Sequence, residues 1–149
     1  MSDSRHFVVF RLDDQRYALP LTAVERIVRM VEVTPVPEAD ESLLGVINVQ
    51  GRIIPVVNTR KRFRLSAKEP SISDQLIIAR VGSRSLALVA DAVTGVLESS
   101  PDEFIPADDI LPGMDHVHGV LKQGDGMVLL HDLDTFDGDR TLRIAAARA

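Results

Sequence analysis

An internal repeat constrains the fold of this 149-residue chain more than any other feature. Residues 7–29 lie without gaps on residues 76–98 after a shift of 69 positions, and residues 45–54 lie on 119–128 after a shift of 74. Each copy reads as two apolar runs around a short polar loop, a connection, and then a second pair of apolar runs. The repeat therefore predicts two copies of one small structural unit, each about 70 residues long.

Short runs rich in valine and isoleucine alternate with turn residues along both copies. These runs are Phe7–Phe10, Val46–Ile47, Ile53–Ile54, Val56–Val57, Leu76–Ile78 and Met127–Leu130. Apolar runs of this length are typical of buried strands, because a helix shows a longer pattern. Polar or glycine-containing loops at residues 13–16, 50–52, 82–84 and 124–126 separate the runs, as hairpin turns do. The pattern predicts an all-β protein made of two small packed barrels.

One segment of the first copy has a helical pattern instead. Thr22 and Glu25 have the spacing of a capping box, in which each side chain bonds to the backbone amide of the other residue. Three apolar residues then form a narrow stripe at helical spacing, namely Val24, Ile27 and Val28. This segment predicts one short helix near residues 22–30. The equivalent of Thr22 in the second copy is Asp91, which is also a favourable N-cap residue.

Barrel size and composition argue against several classes of function. A barrel of this size holds only side chains, which leaves no interior room for a substrate. The sequence has no cysteine, no glycine-rich phosphate loop and no Gly-x-Ser-x-Gly nucleophile turn. No apolar stretch is long enough to span a bilayer, and residues 1–6 carry no secretory segment. We expect a cytoplasmic protein that is not an enzyme, needs no cofactor and does not insert into a membrane.

Histidine and carboxylate residues near the C-terminus leave a metal-binding alternative open. His116 and His118 lie two residues apart, and His131 with Asp132 lies on a neighbouring predicted strand. Imidazole and carboxylate groups at these positions can supply three ligands to a metal ion. Exposed loop histidines explain the same spacing, so we expect no metal site. The paired acids of the chain lie in predicted turns, where a solvated carboxylate is far commoner than a catalytic one.

A basic stretch leaves a second alternative, a nucleic-acid-binding barrel. Residues 50–65 contain five basic side chains and no acid: Arg52, Arg60, Lys61, Arg62 and Arg64. Such a cluster could contact phosphates or an acidic protein. The net charge of −5 and the aromatic content of 4% argue against nucleic acid, because phosphate contacts need positive charge and base stacking needs aromatic rings. We therefore expect no nucleic-acid partner.

The segment from Gly45 to Arg60 resembles the signature of the CheW-like domain family. It reads Gly-Val-Ile-Asn-Val-Gln-Gly-Arg-Ile-Ile-Pro-Val-Val-Asn-Thr-Arg. The family signature is roughly Gly-Val-x-Asn-Leu-Arg-Gly-x-Ile-x-Pro-Val-x-Asp-Leu-Arg. The segments before and after it, at residues 7–20, 86–96 and 119–133, also follow the order of the family.

The resemblance implies both a fold and a function. The fold would be two packed and intertwined five-stranded SH3-like barrels over residues 7–136, divided near residues 70–76, with residues 1–6 and 137–149 as tails. The function would be that of a stand-alone, non-catalytic adaptor. Such an adaptor joins the cytoplasmic tips of chemoreceptors to the regulatory domain of a CheA-type histidine kinase in bacterial signalling arrays.

The resemblance also implies two sets of contact residues. The kinase-facing residues would lie on the first barrel: Val24, Ile27 and Gly45. The receptor-facing residues would line the groove between the barrels: Gln50, Ala87, Val93 and Val96. The internal repeat places Val24 opposite Val93 and Ile27 opposite Val96, so equivalent positions of the two copies would serve different partners. Barrel core is the alternative interpretation for each of these apolar residues.

Four residues depart from the family pattern. Arg26 stands where the family often has Glu, Gln50 where it has Arg, Asn58 where it has Asp, and Thr59 where it has Leu. The first two positions can form an ion pair in the family, and both of its charges are changed here. An exposed pair contributes little stability but helps to select partners. We therefore expect an intact fold and either a divergent receptor or a pathway other than flagellar control.

Overall fold

The computed structural model describes residues 5–37, 41–110, 117–124 and 126–133. Within these residues the chain forms eleven strands: β1 Arg5–Leu12, β2 Gln15–Pro20, β3 Val24–Arg29, β4 Leu43–Val49, β5 Arg52–Val57, β6 Gln75–Val81, β7 Arg84–Ala90, β8 Ala92–Ser99, β9 Phe104–Pro106, β10 Val117–Gln123 and β11 Gly126–His131. A four-residue helix, α1, covers Thr59–Arg62. Single turns of 3₁₀ helix lie at Leu21–Ala23, Pro101–Glu103 and Ala107–Asp109. The predicted all-β class is confirmed.

The strands form two sheets that exchange hairpins. The six-stranded sheet has the order β8-β1-β2-β11-β10-β9, and the five-stranded sheet has the order β3-β6-β7-β5-β4. The first hairpin of each repeat copy, β1–β2 or β6–β7, therefore lies among strands of the other copy. The boundary near residues 70–76 separates the two copies in sequence, and each sheet takes strands from both sides of it.

Three apolar clusters follow from this exchange. One cluster belongs to the six-stranded sheet, one to the five-stranded sheet, and the third contains residues of both sheets. In β1, Phe7 and Val9 face the cluster of their own sheet, while Phe10 and Leu12 face the shared cluster. The equivalent residues of β6 alternate in the same way: Leu76 and Ile78, then Ala79 and Val81. Because both faces of these hairpins are buried, their sequences are continuous apolar runs.

The helix predicted near residues 22–30 is wrong. A 3₁₀ turn at Leu21–Ala23 leads directly into β3, and no side chain caps this turn. Ile27 lies opposite Ile77 of β6 in an antiparallel pair. A bulge between Val24 and Arg26 interrupts the two-residue alternation of β3, so its apolar spacing imitates a helix. The β-branched side chains favour the strand that forms.

Two related expectations also need correction. Asp91 caps no helix, since β8 begins at the next residue. The sheet that contains β1 and β2 has six strands, one more than the predicted five, because β9 pairs with the outer edge of β10. Within the described residues, the one α-helix follows β5, and Asn58 before it accepts a hydrogen bond from the backbone N–H of Lys61 at 3.2 Å.

Candidate protein-interaction surfaces

Strand β3 forms an edge of the five-stranded sheet and carries two of the predicted kinase-facing residues. Val24 is partly buried and packs against the cluster shared by both sheets. Ile27 is 39% exposed, in a strand whose other exposed side chains are charged. An exposed isoleucine among charged residues is suited to a small apolar contact with another protein.

Gly45, the third predicted kinase-facing residue, is buried beneath the chain at Thr34. Its backbone has a φ of +152°, and a Cβ atom there would lie 2.2 Å from the carbonyl oxygen of Thr34. The neighbouring Val46 exchanges two backbone hydrogen bonds with Thr34, at 2.8 and 2.9 Å. The absence of a side chain thus lets the segment before β4 pair closely with it.

Gln50 lies in the two-residue turn between β4 and β5, with a φ of +51°. Its Oε1 accepts a hydrogen bond from Nη1 of Arg26 at 3.0 Å. Arg26 and Gln50, the two residues that replace the ion pair of the family, therefore contact each other. This contact has one positive charge, from Arg26, and no negative charge. This contact places Gln50 beside β3 and the kinase-facing set, on the sheet opposite to the one that carries Val96.

The neighbouring acid of β3, Glu25, is ionised and its charge is balanced by an arginine. Glu25 accepts hydrogen bonds from the hydroxyl of Ser85 and from Nη1 of Arg52, the latter at 3.0 Å. These two bonds, that of Ser85 above all, hold the pKa of Glu25 below its ordinary value. Because Glu25 is paired, the charges of Arg26 and Arg29 dominate the exposed edge of β3. The surface around Ile27 is therefore positively charged.

The remaining predicted receptor-facing residues lie in different environments. Ala87 has no exposed surface and belongs to the cluster of the five-stranded sheet. Val93 is partly buried against the shared cluster, and its backbone N–H donates to Oε1 of Gln75 at 2.8 Å. Val96 is 61% exposed on β8, an edge strand of the six-stranded sheet. Of these three side chains, only that of Val96 is largely open to a partner.

The structure does not support the nucleic-acid alternative. Three of the five basic side chains of residues 50–65 are engaged in ion pairs: Arg52 with Glu25, Arg60 with Asp13 and Asp91, and Lys61 with Glu41. The side chain of Arg60 is only 11% exposed. Phosphate binding needs several free cationic groups on one face.

The histidine residues are placed as follows. His118 stacks on Phe104 with a centroid distance of 5.6 Å, and His131 is buried with its ring edge-on to Phe63 at 4.7 Å. His116 lies outside the described residues. In the described part of the chain, no group of three histidine or acidic side chains is arranged to hold a metal ion.

No helix among the described residues is long and apolar enough to cross a membrane.

Sequence reasoning missed two features of these surfaces. Ile53 on β5 and Met127 on β11 are exposed apolar residues at equivalent positions of the repeat, and only their shift of 74 pointed to a common environment. The contacts of Arg60 with Asp13 and Asp91 join residues far apart in sequence, so no local pattern could have indicated them.

Together these observations define a duplicated two-sheet β protein whose exposed apolar strand residues suit contacts with other proteins. The chain belongs to the CheW-like domain family, which matches residues 6–137. It is 34% identical over 133 residues to the chemotaxis protein CheW of Rhizobium meliloti, covering 88% of this chain and 86% of that protein. It is 26% identical over 125 residues to protein FrzA of Myxococcus xanthus, covering 79% and 74% of the two chains.

A solved structure agrees with this placement. The crystal structure of the scaffolding protein TtCheW from Thermoanaerobacter tengcongensis superimposes with a TM-score of 0.83 and 28% sequence identity. The match covers 92% of this chain and 94% of that one. It confirms the predicted fold of two SH3-like units.

Proposed function

We propose that this chain is a non-catalytic adaptor that couples chemoreceptors to a CheA-type histidine kinase. Membership of the CheW-like domain family supports the proposal, as does similarity over most of its length to proteins named for chemotaxis and to a solved scaffolding protein. The adaptor would act in the cytoplasm, on the tips of receptors that are anchored in the membrane, and would need no cofactor.

One observation carries this proposal beyond the family. Ile27 and Val96 occupy equivalent positions of the repeat, and both are exposed apolar residues on edge strands. They lie on edge strands of different sheets, which makes them candidates for two separate contact surfaces. A few exposed apolar residues can contribute most of the binding free energy of a protein interface.

The proposed kinase surface is the edge of β3, with Ile27 at its centre and Val24 partly buried beside it. Gln50, which the resemblance assigns to the receptor, lies at the border of this surface. The proposed receptor surface is the edge of β8, with Val96 at its centre and Val93 beside it. Gly45 and Ala87 would then act through the backbone and the core, because neither presents a side chain to solvent.

Adaptor function requires more than two binding sites. The receptor can control the kinase only if its two signalling states contact the adaptor, or the kinase bound to it, with different free energies. Under this proposal the chain transmits that difference by holding both partners in a defined relative orientation.

A crossed mutagenesis experiment tests the proposal. Ile27→Asn should weaken binding to the regulatory domain of a CheA-type kinase from the same organism and leave receptor binding unchanged. Val96→Asn should do the reverse. Titration calorimetry with each partner measures both affinities, and a loss of tenfold or more is expected for a central interface residue, about 1.4 kcal/mol.

Ile72→Asn is the matched control, because Ile72 is 94% exposed outside the strands. This control should bind both partners with unchanged affinity. Failure of the unmodified protein to bind any such kinase would refute the adaptor function. If each variant weakened both partners equally, the assignment of the two surfaces would be wrong.

A further inference from the structure

Arg60 is bonded to two acidic side chains, of which Asp91 is largely shielded from water and Asp13 is 54% exposed. Its Nη2 contacts Oδ1 of Asp13 at 2.6 Å and Oδ2 of Asp91 at 3.0 Å, and its Nη1 donates to Oδ2 of Asp13 at 3.2 Å. The backbone N–H of Asp13 donates to Oδ2 of Asp91 at 2.8 Å. The side chains of Arg60 and Asp91 are 11% and 10% exposed. We call Arg60, Asp13 and Asp91 the clasp.

The clasp connects the two sheets. Asp13 lies in the β1–β2 turn of the six-stranded sheet, and Arg60 lies in α1, directly after β5 of the five-stranded sheet. Asp91 lies where the chain passes from β7 in one sheet to β8 in the other. A guanidinium group bonded to two carboxylates has a planar, forked geometry, so it restricts the direction of each partner as well as its distance.

The two acids of the clasp have no acidic counterparts at the equivalent positions of the repeat. The positions equivalent to Asp13 and Asp91 in the other copy are Gly82 and Thr22, and neither carries a charge. Both copies nevertheless place their first hairpin in the opposite sheet. The exchange of hairpins therefore does not require these charges. Buried ion pairs are weak evidence for a contribution to stability, but their strict geometry can specify one arrangement over others.

We propose that Arg60 is a positioning residue that, through Asp13 and Asp91, fixes the angle between the sheet carrying Ile27 and the sheet carrying Val96. This inference rests on the proposed adaptor function. Loosening the clasp would then leave each partner surface intact, because Ile27 and Val96 are not part of it. Transmission between the two surfaces would fall, because the angle between them would no longer be fixed.

Asp13→Asn is the variant of choice, because asparagine tolerates the positive φ of 53° at this turn and only the charge is removed. Arg60→Lys is a second variant, which keeps the positive charge but removes the planar guanidinium group that bonds to two carboxylates. The matched control is Asp14→Asn in the same turn, outside the clasp. Since the chain has no cysteine, spin labels can be attached at Arg29→Cys and Lys122→Cys, on exposed positions of the two sheets.

Pulsed electron spin resonance then measures the distance distribution between the sheets. We expect a narrow distribution in the unmodified protein and in Asp14→Asn, and a broader one in Asp13→Asn and Arg60→Lys. In reconstituted complexes, both clasp variants should bind kinase and receptor with unchanged affinity and lose at least about fivefold in receptor-dependent control of kinase activity.

An unchanged distance distribution overturns the proposal, and so does a broadened distribution with undiminished kinase control. The distance measurement needs no partner. If the unmodified protein binds no kinase, the adaptor function fails, while the distribution still reports whether the clasp fixes the sheets.

Discussion

The hydroxyl of Thr59 accepts a hydrogen bond from the backbone N–H of Val89 at 3.1 Å. Thr59 is buried at the start of α1, just beyond Asn58 and the end of β5, the strand that pairs in parallel with β7. The hydroxyl thus replaces a backbone acceptor where the chain leaves β5 and enters α1. The threonine that departs from the family signature has a structural role here.

Replacing this hydroxyl tests that role. Thr59→Val keeps the shape of the side chain and leaves the N–H of Val89 without its acceptor. We expect the free energy of unfolding to fall by about 1–3 kcal/mol, measured by urea titration. Thr59→Ser keeps the hydroxyl, so its free energy of unfolding should fall by less than that of Thr59→Val. Equal stability of the valine variant and the unmodified protein would show that this bond contributes nothing.

Gly45 should tolerate no side chain. Gly45→Ala introduces a Cβ atom 2.2 Å from the carbonyl oxygen of Thr34, at a φ unfavourable for alanine. Gly95→Ala is a close control, because Gly95 has a similar φ of +146° and open space around its Cβ position. Thermal and urea unfolding should show a loss of about 1–3 kcal/mol for the strained backbone in Gly95→Ala and a larger loss in Gly45→Ala. Similar losses in both would contradict the steric explanation.

The contact of Arg26 with Gln50 predicts an effect on partner choice. The double variant Arg26→Glu with Gln50→Arg restores the charges usual in the family and still pairs the two positions. We expect stability to change by no more than about 0.5 kcal/mol, since the site is exposed. Association with the kinase of the same organism should become slower, because the substitutions remove the net positive charge of this pair and so weaken the attraction of the docking edge for an acidic partner surface.

Stopped-flow association at two salt concentrations measures this effect. The double variant should also change the salt dependence of the rate. The single variant Gln50→Arg, which brings two arginines together, is the comparison for receptor binding. If it leaves binding unchanged across all receptors of the organism, the departures at these positions do not select the receptor.

The clasp predicts a pH dependence of stability. The hydrogen bond from Arg60 is the largest cause that lowers the pKa of Asp13 below its ordinary value of 3.8. A group whose pKa is lowered by folding stabilises the native state above its unfolded pKa, and this contribution is lost as the pH falls through the folded pKa. The difference in melting temperature between the unmodified protein and Asp13→Asn should therefore be constant near neutral pH and change only below about pH 4.

Thermal unfolding between pH 7 and pH 2 measures that difference. Asp14→Asn removes the neighbouring acid of the same turn, outside the clasp, and is measured beside it as the charge-matched control. A difference that is the same at pH 2 and pH 7 would mean that Asp13 is not ionised against Arg60 in the folded protein.

The sequence by itself determined the local structure and the family. Short apolar runs predicted strands, and the turns at Asp13-Asp14 and Gln50-Gly51 lie within the predicted loops at residues 13–16 and 50–52. The shift of 69 correctly paired β1 to β3 with β6 to β8. These features depend on residues close in sequence, or on comparing one copy with the other. The same local reasoning failed at residues 22–30, where the β-bulge gave a strand the spacing of a helix.

Only the tertiary structure decided which hairpin belongs to which sheet. The two first hairpins have the same apolar alternation, so a local pattern cannot distinguish pairing within a copy from exchange between copies. Tertiary contacts also decided that Ala87 is core, that Gly45 is covered by Thr34, and that Arg60 is shielded by two acids. Each of these facts depends on atoms brought together from distant parts of the chain, because burial and charge pairing are properties of the assembled sheets.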